Sequence, residues 1–504
     1  MERRAKIVAT FGPASSEPEV VARLIRAGVD VVRLNLSHGT HDGHRERIRQ
    51  VRAAAQEAGR HVPVVLDLMG PRYRLGTLAE RRELHEGERV RLGPEPGMDL
   101  PVEQDILDLL HPGERMLIDQ GLVELEVEER GHDVAVARTV SGGAVSTRKG
   151  INLPDSDLGF EITPKDREDV AFAVAEKVDY LAASYVGRGE DLRDLRRLLA
   201  ELGGSIPLIA KLERSRAVDN LEEIVAAADA VMVARGDLGV EVPIHRVPVL
   251  QKRIVHAGRR AGKPVIVATQ MLESMMEQPR PTRAEATDVA NAVFDGADAL
   301  MLSGETAAGR HPVESVEMMG RIIVEAEQYQ RRAFSSASDL QRSTTAPPAE
   351  AIGSVLGRLA DTSVDVPDIV SAAAVYTARE LGARRLVAFS QSGFTGRLVA
   401  RYRPTTPISV FTLTPEVARR LGLVWSVEPV VLDEHPEHLD EVVEVVDREL
   451  IARGLAAPGD LIVVLMGAPI PERRQTNLMR VHRVRADLPR DADGYDHGGG
   501  RSRP

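Results

Sequence analysis

The chain of 504 residues is too long for one ordinary hydrophobic core, so two or three domains are expected. With 43% hydrophobic and 28% charged residues, it has no apolar run near the ~18–20 residues that would carry a helix across a bilayer, which argues against a membrane role. A net charge of −11 and only 3% aromatics argue against nucleic acid as a partner, and the absence of cysteine removes disulfides, thiolate metal sites and cysteine nucleophiles.

The opening residues MERRAKIVATFG carry no signal-peptide pattern, so a cytoplasmic location is expected. A βα alternation starts at once. A strand at Lys6–Phe11 is followed by a helix at Pro18–Ala27 that Gly28 closes, a second strand at Val29–Leu36, a helix at His44–Ala58 and a third strand at Val62–Leu68. From Arg72 to Gly159 the period changes to two, with frequent Gly and Pro, which predicts a β-rich insert. The alternation then resumes, with strands expected at Val178–Val186, Ile206–Leu212, Ala230–Val233, Pro264–Thr269 and Ala299–Leu302, each followed by a helix.

That makes eight βα units once the insert is set aside, and residues 1–69 with 161–334 come close to the roughly 250 residues of a (β/α)8 barrel. The expected fold is therefore α/β: a TIM barrel with an inserted β-rich lid and a C-terminal α/β domain. An open doubly wound sheet is the structural alternative. The expected division is 1–71 and 161–334 for the barrel and 72–160 for the lid. Residues 335–349 are expected as a Ser/Thr/Ala/Pro linker, 350–485 as the C-terminal domain and 486–504 as a disordered polar tail.

Functional groups of a barrel gather at the carboxyl ends of its strands. Those ends carry Arg33, Asn35 and Ser37; Asp67; Ser184; Lys211 and Glu213; Arg235, Gly236 and Asp237; Thr269 and Gln270; and Ser303, Gly304, Glu305 and Thr306. Lys211 and Glu213 stand two residues apart on one strand and so face the same side, roughly 6–7 Å from each other. A lysine beside carboxylates suits a phosphate with a hard divalent cation, Mg²⁺ or Mn²⁺, rather than Zn²⁺. The alternative is an ion pair with no ligand. The His38, His41, His44 spacing lacks acidic co-ligands and is read as helix entry and loop packing.

Several long blocks resemble the pyruvate kinase family: RLNLSHGTH (33–41), KGINLP (149–154), AKLER (210–214), MVARGDLGVEVP (232–243), GKPVIVATQMLESM (262–275), PRPTRAEATDVANAVFDGADALMLSGETA (279–307) and TNLMRVHRV (476–484). The resemblance covers about Lys6 to Val484. It implies transfer of the phosphoryl group of phosphoenolpyruvate to ADP, giving ATP and pyruvate, in a homotetramer. Carried over by position, Glu213 and Asp237 hold the metal, and Lys211 neutralises the moving phosphoryl group. Arg33, Arg235, Gly236, Asp237 and Thr269 contact the substrate. Thr269, Ser303 and Glu305 serve the proton relay to enolpyruvate. Arg74, Lys149, Asn35 and His38 meet the nucleotide.

The resemblance further implies a monovalent-cation site at Asn35, Ser37, Asp67 and Leu68. Arg72 replaces the glutamate found in many members, so the expectation is that K⁺ is not required. Ser390, Ser392, Gly393, Phe394 and Thr395 resemble the family's sugar-phosphate effector loop. Met69, Gln120 (in Asp119-Gln120-Gly121) and Gly187 depart from the family pattern. They motivate an alternative, a catalytically weakened relative kept for regulation. A lyase acting on phosphoenolpyruvate or pyruvate is a third reading, which the lid and C-terminal domain disfavour.

Overall fold

The computed structural model describes residues 3–70, 73–94, 97–156, 158–342, 365–433, 436, 438–467 and 475–486, with residues 333–342 and 439 described by backbone alone. Arg72, the linker at 335–349 beyond Arg342, and the tail beyond residue 486 lie outside the described residues.

Eight parallel strands close into a barrel: Lys6–Thr10, Val31–Asn35, Val64–Asp67, Tyr180–Ala183, Leu208–Leu212, Ala230–Ala234, Val265–Ala268 and Ala299–Leu302, here numbered one to eight. Strand one pairs with both strand two and strand eight, so the sheet has no free edge and the open-sheet alternative falls. The strands read as continuous apolar runs because both faces are buried. One face of each strand fills the barrel interior with Val8, Val31, Val65, Ala182, Ile209 and Met232, among others. The other packs against the helices through residues such as Val32, Leu66, Ala210 and Val231.

Helix boundaries follow local chemistry. Helix Pro18–Ala27 stops at Gly28, whose φ of 115° a side chain would resist. Helices Pro164–Ala175 and Arg283–Asp295 each begin with a capping box, from Thr163 with Asp166 and from Thr282 with Glu285.

Between strands three and four, the chain builds a seven-stranded sheet from segments between Tyr73 and Asn152. It has its own core around Leu92, Leu125 and Ile151. Two of its features touch the helix Arg235–Glu241 that follows barrel strand six. Asn152 Nδ2 donates to Glu241 Oε1 at 3.2 Å, and a Cβ placed on Gly121 would meet Val240 Cγ1 at 3.7 Å. Asp119, Gln120 and Gly121 have φ of 54°, 61° and 82°, a left-handed run that makes a tight tip.

The described residues form two compact units. The first holds the barrel and the inserted sheet, together with Arg419–Ser426 from much later in the chain. Leu423 of that segment is buried in the same interior cluster as Val8 and Met232. The second contains a five-stranded sheet in the order Val427–Val431, Ile408–Thr412, Arg385–Phe389, Leu461–Met466, Leu478–Arg483, parallel except for the last strand. Among the described residues no helix is long and apolar enough to cross a membrane.

Candidate active site

Side chains along a strand alternate, so every second residue continues the inward face. Following each interior residue toward the carboxyl end of its strand turns an apolar series polar. Val8 leads to Thr10, Val31 to Arg33 and Asn35, Val65 to Asp67, Ala182 to Ser184, Ile209 to Lys211 and Glu213, and Met301 to Ser303. The barrel thus delivers a ring of polar groups onto an apolar floor.

These groups bind one another. Arg33 Nε donates to Asp67 Oδ2 at 2.7 Å, and its Nη1 donates to Thr10 Oγ1 at 3.0 Å. Lys211 Nζ lies 3.2 Å from Asp67 Oδ1 and 2.8 Å from Glu213 Oε1, and it donates to Ser184 Oγ at 2.7 Å. The Ser184 hydroxyl in turn donates to the Leu68 carbonyl at 2.8 Å, and the Tyr185 amide donates to Glu213 Oε2 at 2.6 Å. Asp67 and Glu213 are each 1% exposed and Lys211 8%, so these charges face one another with little water between them. Burial pulls the Lys211 ammonium down, but the Asp67 and Glu213 carboxylates outweigh it and hold the pKa above the usual lysine range. Burial pushes Glu213 up to about 7 against the pull of Lys211, and the nearby Asp237 carboxylate adds to the rise. Asp67 sits below its usual range, because Lys211 and Arg33 overcome its burial.

Sequence reading singled out Arg33, Asp67, Lys211 and Glu213, and the structure brings them together. Thr10 was missed, and Ser184 was seen only as a strand end. The two-residue alternation from the interior apolar positions is the signal that finds both.

Arg235 opens the helix whose backbone amides the resemblance assigns to the substrate carboxylate. Its guanidinium is spent on the protein: Nη1 pairs with Asp288 Oδ2 at 2.7 Å, Nη2 donates to the Thr269 carbonyl at 2.7 Å, and Nε donates to the Ala268 carbonyl at 3.3 Å. Glu305 lies beside Ser303 at the end of strand eight. Its carboxylate is 2% exposed and accepts from the Leu272 amide at 3.0 Å and the Ser303 amide at 2.7 Å, so it braces the end of strand eight. The Ser303 hydroxyl is buried without a hydrogen-bond partner among the described residues. Thr269 Oγ1 accepts from the Gly236 amide at 2.7 Å.

The residues expected at the nucleotide fall in two places. Asn35 and His38 lie at the strand-two end, where Asn35 Oδ1 accepts from the Ser37 amide at 3.1 Å and the His38 carbonyl lies 2.8 Å from His44 Nε2. Arg74 and Lys149 lie on the inserted sheet, where Arg74 pairs in register with Gly150 and Lys149 Nζ sits 2.6 Å from Asp119 Oδ2. At the Gly187 departure, the amide is capped by Asp191 at 2.8 Å and Arg216 Cδ lies 3.5 Å from where a Cβ would stand. In the second unit, Ser390 follows strand Arg385–Phe389 and is buried. Gly393 caps the short helix Phe394–Ala400, Ser392 Oγ accepts weakly from the Phe394 amide at 3.4 Å, and Thr395 Oγ1 bonds Thr476 Oγ1 at 2.7 Å.

The donor set fits a divalent cation. Glu213 and Asp237 offer hard carboxylate oxygens, and a cation held by them would relieve their mutual repulsion. No group of three or more His, Cys, Asp or Glu gathers as a complete metal cage among the described residues, so substrate and water would supply the other positions.

Comparison with known proteins gives the family. Residues 2–316 match the family model for the pyruvate kinase barrel domain, and residues 368–482 match that for the pyruvate kinase alpha/beta domain. The chain is 42% identical over 499 residues to a pyruvate kinase of Mycobacterium tuberculosis, covering 97% of this chain and 100% of that one. It is 40% identical over 499 residues to one from Geobacillus stearothermophilus, covering 97% of this chain and 81% of the relative. A crystal structure of a pyruvate kinase from Cryptosporidium parvum superimposes with a TM-score of 0.86 at 33% identity, covering 96% of each chain. This chain belongs to the pyruvate kinase family and is a phosphotransferase that moves the phosphoryl group of phosphoenolpyruvate to ADP, giving ATP and pyruvate.

Proposed function

We propose that Lys211 neutralises the phosphoryl group in flight, that Glu213 and Asp237 hold the divalent cation, and that the reaction needs no K⁺. The family uses Mg²⁺ or Mn²⁺. Bound there, the cation would spread the negative charge of the phosphoryl oxygens. Phosphoryl transfer depends mostly on positioning and charge neutralisation, and one well-placed cation contributes about 10³–10⁵ in rate. The observation that carries the reading is the buried Lys211 ammonium, held between Asp67, Glu213 and Ser184 at 2.7–3.2 Å. That cage fixes the charge in place before substrate arrives, so little reorganisation remains to be done.

Arg33 and the first turn of helix Arg235–Glu241, with Thr269 beside it, are the proposed contacts to phosphoenolpyruvate. Thr269, Ser303 and Glu305 serve the proton that enolpyruvate takes up, and the buried Ser303 hydroxyl, without a hydrogen-bond partner among the described residues, supports this. Arg74, Lys149, Asn35 and His38 face the nucleotide in this reading, the first two from the inserted sheet acting as a lid. The protein is proposed to work in the cytoplasm as a homotetramer, with Ser390–Thr395 receiving a sugar-phosphate effector.

Independence of K⁺ rests on Arg72 in the sequence and on how the oxygens of the expected cation site are used. Asn35 Oδ1 takes the Ser37 amide, Asp67 Oδ2 takes Arg33, and the Leu68 carbonyl takes Ser184. Turnover of phosphoenolpyruvate and ADP with Mg²⁺ is expected to be equal within about twofold whether K⁺, Na⁺ or tetramethylammonium is the only monovalent cation. Strong activation by K⁺ would overturn this part of the proposal.

A further inference from the structure

The ends of strands six and seven grip each other in both directions. From strand six, the Arg235 side chain reaches the main chain of strand seven, donating to the carbonyls of Ala268 at 3.3 Å and Thr269 at 2.7 Å. From strand seven, the Thr269 side chain takes the next main-chain amide, that of Gly236, at 2.7 Å. Behind the guanidinium stands Asp288 on helix Arg283–Asp295, paired with Nη1 at 2.7 Å. Gln251 Oε1 accepts from the same nitrogen at 3.3 Å.

The grip coincides with an unusual backbone. Thr269 and Gln270 both lie in the left-handed region, at φ of 70° and 53°. A β-branched residue resists that conformation, which persists only where its surroundings enforce it. It also breaks the alternation of strand seven. Val265 and Val267 face the helices, so an uninterrupted strand would send Thr269 the same way. The left-handed turn instead brings the hydroxyl to Gly236, next to Asp237. The Arg235 fork holds the carbonyls on either side of the Thr269 Cα.

We infer that Arg235 and Asp288 are positioning residues for the reaction: the Asp288-backed guanidinium enforces the left-handed turn at Thr269 and so sets the Thr269 hydroxyl against the helix turn that carries Asp237. The inference rests on the reading of Thr269 as a group that serves protonation. In that step the P–O bond of phosphoenolpyruvate has broken and a new P–O bond to ADP has formed. The methylene carbon of the enolate then takes a proton, delivered in this reading by way of the Thr269 hydroxyl, and the C–O bond of the adjacent carbon becomes a carbonyl. Run backward, the same step removes a methyl proton from pyruvate, which can be followed without phosphoryl transfer.

The test compares Asp288→Asn, Arg235→Lys and Thr269→Val in the full chain with Mg²⁺. One readout is exchange of the pyruvate methyl hydrogens with D₂O in the presence of inorganic phosphate. The others are kcat and KM for phosphoenolpyruvate. All rates are expressed per Mn²⁺-binding site, so that unfolded protein does not count. Asp288 is half-buried and Asn has its shape, so this variant is expected to fold even if Arg235→Lys does not. Displacement of a reacting group by an ångström costs about 10²-fold. Asp288→Asn is therefore expected to slow both exchange and kcat by roughly 10–100-fold, with KM and Mn²⁺ affinity within about threefold of the parent. Slow exchange in Thr269→Val together with parental exchange in Asp288→Asn overturns the inference and leaves the reading of Thr269 standing. Parental exchange in Thr269→Val overturns the reading of Thr269, and this inference with it.

Discussion

Lys211 and its neighbours show how few residues set the electrostatics of the site. One ammonium, 8% exposed, stands within 3.2 Å of both the Asp67 and the Glu213 carboxylates, while Asp67 is shared with Arg33. Removing one partner of such a buried set leaves the others uncompensated, which is costlier than never having built it. Lys211→Met is expected to cut turnover by about 10³ or more. Mn²⁺ binding, followed by the loss of the free-ion electron paramagnetic resonance signal, should persist, because Glu213 and Asp237 remain and the competing ammonium is gone. Near-parental turnover would remove Lys211 from the mechanism. Most of this constellation was legible from residue type and spacing, since Lys211 and Glu213 share a strand. The Arg235 side chain was not. Its position at a strand end suggests a substrate contact, but Asp288, 53 residues on, claims the guanidinium. Local spacing carries no trace of that partner.

At the level of elements, periodicity and caps located the strands and helices well because each signal is local. The capping box of helix Arg283–Asp295 is one such signal, and the structure adds a second duty to it. Glu285 accepts from the Thr282 amide at 2.8 Å and also from the Ser274 amide at 2.7 Å and the Ser274 hydroxyl at 2.5 Å. The carboxylate thereby ties the helix to the turn Glu273–Met276, just beyond strand seven. Burial tends to raise its pKa, but the hydrogen bonds from Ser274 and Thr282 prevail and hold it below the usual 4.5. A carboxylate lowered on folding stabilises the native state above its unfolded pKa, and that contribution is lost as pH falls through the folded value. Glu285→Gln is therefore expected to cost about 1 kcal/mol at pH 7. The difference from the parent should shrink once the pH drops below 4.5. Urea unfolding of both proteins across this range measures it, and a pH-independent difference would show that the charge is irrelevant. The sequence announces this helix start through Thr282 and Glu285 at the right interval. It does not announce Ser274, because nothing in the chain pattern says how the preceding turn folds back.

On the scale of the molecule, the part least legible in the sequence is the segment Arg419–Ser426, whose neighbours on both sides belong to the second compact unit. In sequence RRLGLVWS reads as one more turn of a C-terminal α/β domain. In the structure it closes the amino-terminal end of the barrel. Arg419 Nε donates to Asp179 Oδ1 at 2.8 Å, Tyr180 donates its hydroxyl proton to the Arg420 carbonyl at 3.0 Å, and the Trp425 amide donates to Asp298 Oδ1 at 3.2 Å. Asp179 and Asp298 each also accept a barrel amide, from Val64 at 2.9 Å and from Val265 at 3.1 Å, so the stopper is bonded to the strands themselves. Leu423, fully buried, extends the interior column that ends at the active-site ring on the opposite face. Truncating a buried leucine to alanine removes its transfer free energy and leaves a cavity, at a cost of about 2–5 kcal/mol. A barrel interior bounded by eight hydrogen-bonded strands can collapse little to fill the gap, so Leu423→Ala is expected toward the upper end of that range. Leu423→Met, which keeps the volume, should cost less than about 1.5 kcal/mol. Denaturant unfolding of the two variants against the parent decides the matter. Equal, small losses in both would mean that Leu423 does not pack as a stopper. A large loss in the alanine variant alone would mean that the barrel's stability depends on a segment roughly 120 residues after its last strand, a long-range contact that no local pattern can encode.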